Sequence, residues 1–151
     1  MKNIIKKLGD VLTILLPVAA LPVIYFLCGL RELFSFVIIY AIGNLVVQLL
    51  KGIFDAPRPR DSKEHVLYIH GYSHEDGESF LSGHSMSASL PAYYILFFIK
   101  PLWICLPFIL LAWTCAWTRV YVKAHWPLDV ISANPVSFFL NICFAYCINV
   151  L

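Results

Sequence analysis

Long apolar blocks, not amphipathic stripes, set the rhythm of this chain. Positions 11–30 carry no charged side chain, and neither do 33–50, 101–118 or 130–151. A helix needs about 20 apolar residues to cross the hydrocarbon core of a bilayer, and these four blocks are long enough or nearly so. A fifth, 85–99, is shorter and reaches that length if its helix begins near Ser82. The pattern therefore predicts an all-α fold, a multi-pass transmembrane bundle of about five spanning helices in one domain, 1–151. Polar positions collect in two connections. The longer, 51–80, reads as an extramembrane loop; it opens on Ala56-Pro57-Arg58-Pro59, where two prolines end a helix and force an extended exit. The shorter covers 119–126, and Pro127 suits the first position of the helix that follows. Lys100-Pro101 makes the turn between helices three and four. The second helix ends near Lys51, the third begins near Ser82 and the fourth ends near Arg119, so these three points fall on one membrane face.

Composition agrees: 151 residues, 60% hydrophobic and 13% charged, with a mean hydropathy of +0.78, are unlike a soluble domain. The net charge of +2 is small, and no basic tract with interleaved aromatics suggests nucleic acid. Lys2, Lys6 and Lys7 before an apolar run imitate a secretory signal, but the run is too long and no small-x-small cleavage site follows. The expectation is a retained first helix, bent or loosened at Pro17 and Pro22. Cys28, Cys105, Cys115, Cys143 and Cys147 all lie in apolar blocks and read as buried small hydrophobes, not as a disulfide framework or metal site. Trp103, Trp113, Trp117 and Trp126 cluster around the fourth segment, several at positions that suit the membrane interface.

Chemistry-bearing residues form three islands. In Lys51-x6-Arg58-Pro59, lysine offers a mobile point charge and arginine a planar fork matched to two phosphate oxygens; the plain reading is two cations snorkelling at a helix end. Ser82-Gly83-His84 stands at the start of the third helix, where unpaired N–H groups attract anions; Gly83 would admit a phosphate close to the backbone and Ser82 add a hydroxyl. Its plain reading is an N-cap and an interfacial histidine. In Arg119-x5-His125-x3-Asp129, Asp129 falls in the first turn of the fifth helix, favourable by dipole alone. The sharper reading has Asp129 accept from one ring nitrogen of His125, fixing the tautomer that leaves the other free to attack. Ionisable residues are costly in so apolar a chain, which argues for one shared site. His65, His70 and His74 with Glu75, Asp76 and Glu78 match no standard zinc spacing and read as a solvated loop, so no metal is expected; Tyr72 and Phe80 are candidates to line a substrate entrance.

In this order the islands resemble the three-part signature of the type 2 phosphatidic acid phosphatase superfamily, over residues 51–129. Leu81 stands where the family usually has proline, and Thr118 where it has serine. The resemblance implies an integral membrane phosphatase acting on a lipid phosphate or diphosphate: polyprenyl diphosphate, phosphatidylglycerol phosphate, lipid A phosphate or phosphatidic acid. It implies that Lys51, Arg58, Arg119, Ser82 and Gly83 hold the phosphate, that His125 attacks phosphorus to give a phosphohistidine, that His84 protonates the leaving oxygen and that Asp129 steers His125. It implies no metal and no cofactor. The usual family core has six helices, so this chain resembles one lacking the first.

Three rivals remain. A transporter or channel would want charges at mid-membrane depth, whereas here they sit at the ends of clean blocks. A non-catalytic bundle could bind phosphorylated headgroups without turning them over. A soluble vanadate-type haloperoxidase relative is opposed by the apolar blocks. The membrane face is contested. Lys2, Lys6, Lys7, Lys51, Arg58, Arg60, Lys63, Arg119 and Lys123 share the side of the islands, against Arg31 and Lys100. The positive-inside rule puts that side in the cytoplasm. The resemblance implies the outer, periplasmic face of the inner membrane, and that is the expectation adopted.

Overall fold

The computed structural model describes residues 1–54, 58–59, 79–99 and 101–150, with side chains as far as residue 147. Most of the 51–80 loop lies outside the described residues. So do Ala56, Pro57, Tyr72, Lys100 and the six His, Asp and Glu residues weighed as a metal site.

Five helices follow in order: α1 (Lys2–Cys28), α2 (Leu30–Ile53), α3 (Gly83–Phe98), α4 (Leu102–Tyr121) and α5 (Pro127–Val150). No strand occurs among the described residues. α1, α2, α4 and α5 are long and apolar enough to cross a membrane. α3, at 16 residues, spans only about 24 Å at 1.5 Å per residue, against roughly 30 Å of hydrocarbon. It need not match the bilayer, because it is the central helix and touches all four others. Its small residues Ser85, Ser87, Ala88, Ser89 and Ala92 are buried and let the neighbours approach.

Three packed clusters surround α3. Toward its C-terminal end, Ala20 and Ile24 of α1, Phe36 and Ile39 of α2, and Cys105 of α4 close on Tyr94 and Ile95. Toward its start, Val47 of α2 and Ala133 of α5 pack on Leu81, Met86 and Leu90. On the α1–α4 side, Leu12 and Leu16 meet Ala88, Ala92, Ala112 and Cys115. Large apolar side chains such as Phe34, Trp103 and Phe139 project outward, as a lipid-facing surface requires.

α1 runs as one helix through Pro17 and Pro22. Its buried stripe, Leu12, Leu16, Ala20 and Ile24, lies on both sides of the prolines and is held along its length. Gly29 alone joins α1 to α2; its φ of 91° is open to glycine and strained for other residues. Ser82 is the N-cap of α3, with its hydroxyl accepting from the Ser85 N–H at 3.3 Å, and Pro127 opens α5 as its fixed φ allows. The cysteines divide. Cys105 and Cys115 are buried as expected, but Cys143 and Cys147 are exposed on α5. The reason is that α5 turns Asn134, Ser137 and Asn141 inward and leaves apolar positions for the outer face.

Candidate active site

The start of α1, the end of α2, the start of α3, the end of α4 and the start of α5 meet at one end of the bundle. The Ser82 N–H donates to the Asp129 carbonyl at 3.2 Å, which ties the α3 cap to α5. The ring of Phe54, just past α2, stands edge-on to Phe80 with centroids 5.0 Å apart. Phe80 thereby packs the end of α2 against the strap before α3.

His125 sits in the connection after α4 and is 5% exposed. Its Nδ1 lies 2.9 Å from the Ser79 carbonyl oxygen. A carbonyl can only accept, so Nδ1 carries the proton and Nε2 keeps its lone pair. The Asp129 carboxylate is 3.6 Å from the same nitrogen, too far for a good hydrogen bond. It accepts instead from the Ser79 hydroxyl at 2.5 Å and the Trp126 N–H at 2.9 Å. The partner expected for His125 was Asp129; the geometry interposes Ser79, whose side chain Asp129 holds and whose carbonyl orients the ring.

Arg119 is the last-turn cation of α4 and is 3% exposed. Its Nη2 donates to Oδ1 of Asp10, on α1. Its Nε is buried without a hydrogen-bond partner among the described residues, as is Nε of Arg58. Two buried donors without acceptors are uncommon in a protein interior, where such groups are normally satisfied. Lys51 lies half-buried in the last turn of α2.

His84, in the first turn of α3, places Nε2 3.3 Å from the same Asp10 oxygen that Arg119 reaches. The Arg119 guanidinium also acts on it. Ser82 is buried and its Oγ accepts from the N–H and hydroxyl of Ser85, which leaves its own proton to donate outward. A Cβ added at Gly83 would meet only Val47 Cγ1, at 3.6 Å. That is ordinary contact, so packing does not demand glycine there.

Sequence reasoning missed Asp10 and Ser79. Asp10 carries a signal, as the one carboxylate in α1, one turn inside Lys6 and Lys7. Ser79 acts through its carbonyl, which no side-chain pattern reveals. Among the described residues no group of three or more His, Cys, Asp or Glu could hold a metal ion.

A family comparison matches residues 32–150 to the PAP2 superfamily. A comparison with curated proteins finds no match. A solved structure described as the crystal structure of the first transmembrane PAP2 type phosphatidylglycerolphosphate phosphatase from Bacillus subtilis has the same fold, with a TM-score of 0.71. The superposition covers 99% of this chain and 77% of that one at 19% identity.

Proposed function

This chain belongs to the PAP2 superfamily, and from that premise we propose that it is a multi-pass membrane phosphatase that removes phosphate from a lipid phosphate or diphosphate. The observation that carries the reading is the pinned ring of His125. With Nδ1–H held by the Ser79 carbonyl, the Nε2 lone pair is the nucleophile at this end of the bundle.

Arg58 and Arg119 supply buried Nε donors that lack acceptors among the described residues, which a phosphate dianion would provide. Lys51, the Ser82 hydroxyl and the Gly83 N–H complete its cradle at the α3 N-terminus. In the first step Nε2 of His125 bonds to phosphorus as the bond to the leaving oxygen breaks, and His84 gives that oxygen a proton. In the second, water attacks phosphorus, the P–N bond breaks, and His84 takes the water proton. Fixed cations around the equatorial oxygens stabilise charge in both transition states, so the reaction is read as independent of a metal.

The substrate's tail lies in the bilayer while its headgroup enters at the helix ends. Phosphatidylglycerol phosphate, which the Bacillus subtilis protein's title names, stands beside polyprenyl diphosphate, phosphatidic acid and lipid A phosphate as candidates. The site is read as lying on the outer face of the inner membrane. The test is phosphate release from this panel by purified protein in detergent with chelator present. At least one lipid should turn over, His125→Ala and His84→Ala should lose the activity while staying folded, and acid-quenched enzyme should trap labelled phosphate on His125. Full turnover by His125→Ala would end the reading.

A further inference from the structure

One carboxylate at this end of the bundle has no role in the chemistry above. Asp10 sits on α1, outside the His125–Ser79–Asp129 cluster, and its Oδ1 meets both Nη2 of Arg119 and Nε2 of His84. Its placement is built, not incidental. Gly9 brings α1 so close to α4 that an added Cβ would stand 2.1 Å from Thr118 Oγ1 and 3.1 Å from Arg119 Nη2. The seam continues one turn on, where the Thr13 hydroxyl donates to the Gly9 carbonyl at 2.9 Å and lies 3.5 Å from Cys115 Sγ. Cys115 in turn reaches the carbonyls of Gly9 at 3.6 Å and His84 at 3.7 Å. Three helices therefore lock where the carboxylate touches the imidazole and the guanidinium.

We propose that Asp10 is a positioning residue for the leaving-group proton, holding Nε2–H of His84 so that Nδ1–H is the proton delivered. This rests on the reading of His84 as general acid. When the bond from phosphorus to the leaving oxygen breaks, that oxygen takes the Nδ1 proton. The imidazolium becomes neutral imidazole and keeps Nε2–H on Asp10. In the second step Nδ1 takes a proton from the attacking water, which restores the imidazolium beside the carboxylate. The same oxygen of Asp10 holds the Arg119 fork in register, so the acid and the phosphate clamp share one anchor. The site thus has two carboxylate-supported histidines: His125, supported through Ser79, for the nucleophile, and His84, supported directly, for the proton.

A leaving group that departs as a stable anion needs no proton, and this separates the role from mere packing. Full-length protein in detergent is assayed with a short-chain alkyl phosphate and with p-nitrophenyl phosphate. Asp10→Asn should lower kcat/KM, which reports the leaving-group step and not the shared hydrolysis of the phosphohistidine, by about 10²-fold for the alkyl ester, the scale of general acid catalysis, and by less than about tenfold for the aryl ester. His84→Asn should show the same selectivity, and Thr13→Ala, in the same seam but away from the reacting groups, should show no selective loss. If His84→Asn lowers kcat/KM equally for both substrates, the acid assignment fails and takes the proposal with it. If His84→Asn is selective and Asp10→Asn is not, the proposal alone fails. A Thr13→Ala variant as selective as Asp10→Asn would reduce the effect to packing. A fall in KM and in the inhibition constant for inorganic phosphate, with kcat kept, would make Asp10 a competitor for the phosphate position and overturn the proposal as well.

Discussion

His125 turns its Nδ1 to the main-chain carbonyl of Ser79, 2.9 Å away, while the Asp129 carboxylate stands 3.6 Å off. The acid four residues along therefore binds the strap before α3 directly and stands at ion-pair distance, beyond a good hydrogen bond, from the ring itself. It binds the Ser79 hydroxyl and the Trp126 N–H together, and so fixes the distance between the strap and the start of α5.

The two partners of this relationship should differ sharply when removed. Asp129→Ala deletes an acceptor of two hydrogen bonds, each worth about 1.5–3 kcal/mol when charged, and frees the strap that orients His125. Phosphate release should fall by at least ~10²-fold, the equivalent of about 2.7 kcal/mol. Ser79→Ala keeps the carbonyl and removes one hydroxyl, so its rate should fall less than about tenfold. Initial rates on one lipid decide the order. Equal losses would mean that the hydroxyl, not the carboxylate's double contact, holds the strap.

Two glycines should answer alanine in opposite ways. At Gly83 the new Cβ meets only Val47 at 3.6 Å, and helix propensity gains up to about 1 kcal/mol. Gly83→Ala should keep or raise the apparent Tm while the inhibition constant for inorganic phosphate rises at least about tenfold, one lost contact of roughly 1.4 kcal/mol. At Gly9 the Cβ collides with Thr118 Oγ1 at 2.1 Å. Overpacking of about 1–3 kcal/mol outweighs the same propensity gain, so Gly9→Ala should lower both Tm and activity. Adding Thr118→Ala removes the colliding oxygen and should return most of the Tm. A destabilised Gly83→Ala with unchanged phosphate affinity would show that this glycine serves packing.

The fold was legible because hydrocarbon blocks have a length, and length against a bilayer fixes the number of helices. The gathering of Ser82, Arg119 and Asp129 followed from the same count, since alternating crossings place the ends of α2 and α4 beside the starts of α3 and α5. Asp10 was not legible. It sits just outside the uncharged block that begins at Val11, beside lysines that read as a flank, and its contacts to His84 and Arg119 span 74 and 109 positions. Ser79 was hidden because a main-chain carbonyl has no signature. The inward stripe of α5 was hidden because asparagine and serine left the block uncharged.

That stripe yields a stability prediction. Asn141 is fully buried; its Nδ2 donates to Ser137 O at 2.9 Å and to Leu90 O at 3.4 Å, while its Oδ1 has no partner among the described residues. The Ser137 acceptor is a helix carbonyl that stands in its own ladder, so removing Nδ2 strands nothing. An apolar side chain of similar volume also relieves the unsatisfied oxygen, a cost of about 1–3 kcal/mol. Asn141→Leu should therefore leave the apparent Tm unchanged or raise it, whereas Asn141→Asp, which buries an ionisable carboxyl inside the bundle, should lower it by several degrees. Circular dichroism melts in detergent check both. A large loss in Asn141→Leu would mean that the two donated bonds set the α3–α5 contact.

Topology supplies the last prediction. The N-terminal end of α1 and the candidate site share one end of the bundle, and five helices carry the C-terminal end of α5 to the other. With the site outside, a reporter active only in the cytoplasm should be active when fused after Leu151, and one active only across the membrane should be silent there. Positive charge argues the other way, since Lys2, Lys6 and Lys7 lie on the site's side. The rule counts Lys and Arg and takes little account of carboxylates such as Asp10, so the reporter decides between charge and resemblance. The reverse pattern of reporter activity would place the phosphate cradle at the inner leaflet and remove every substrate whose headgroup is exposed only outside.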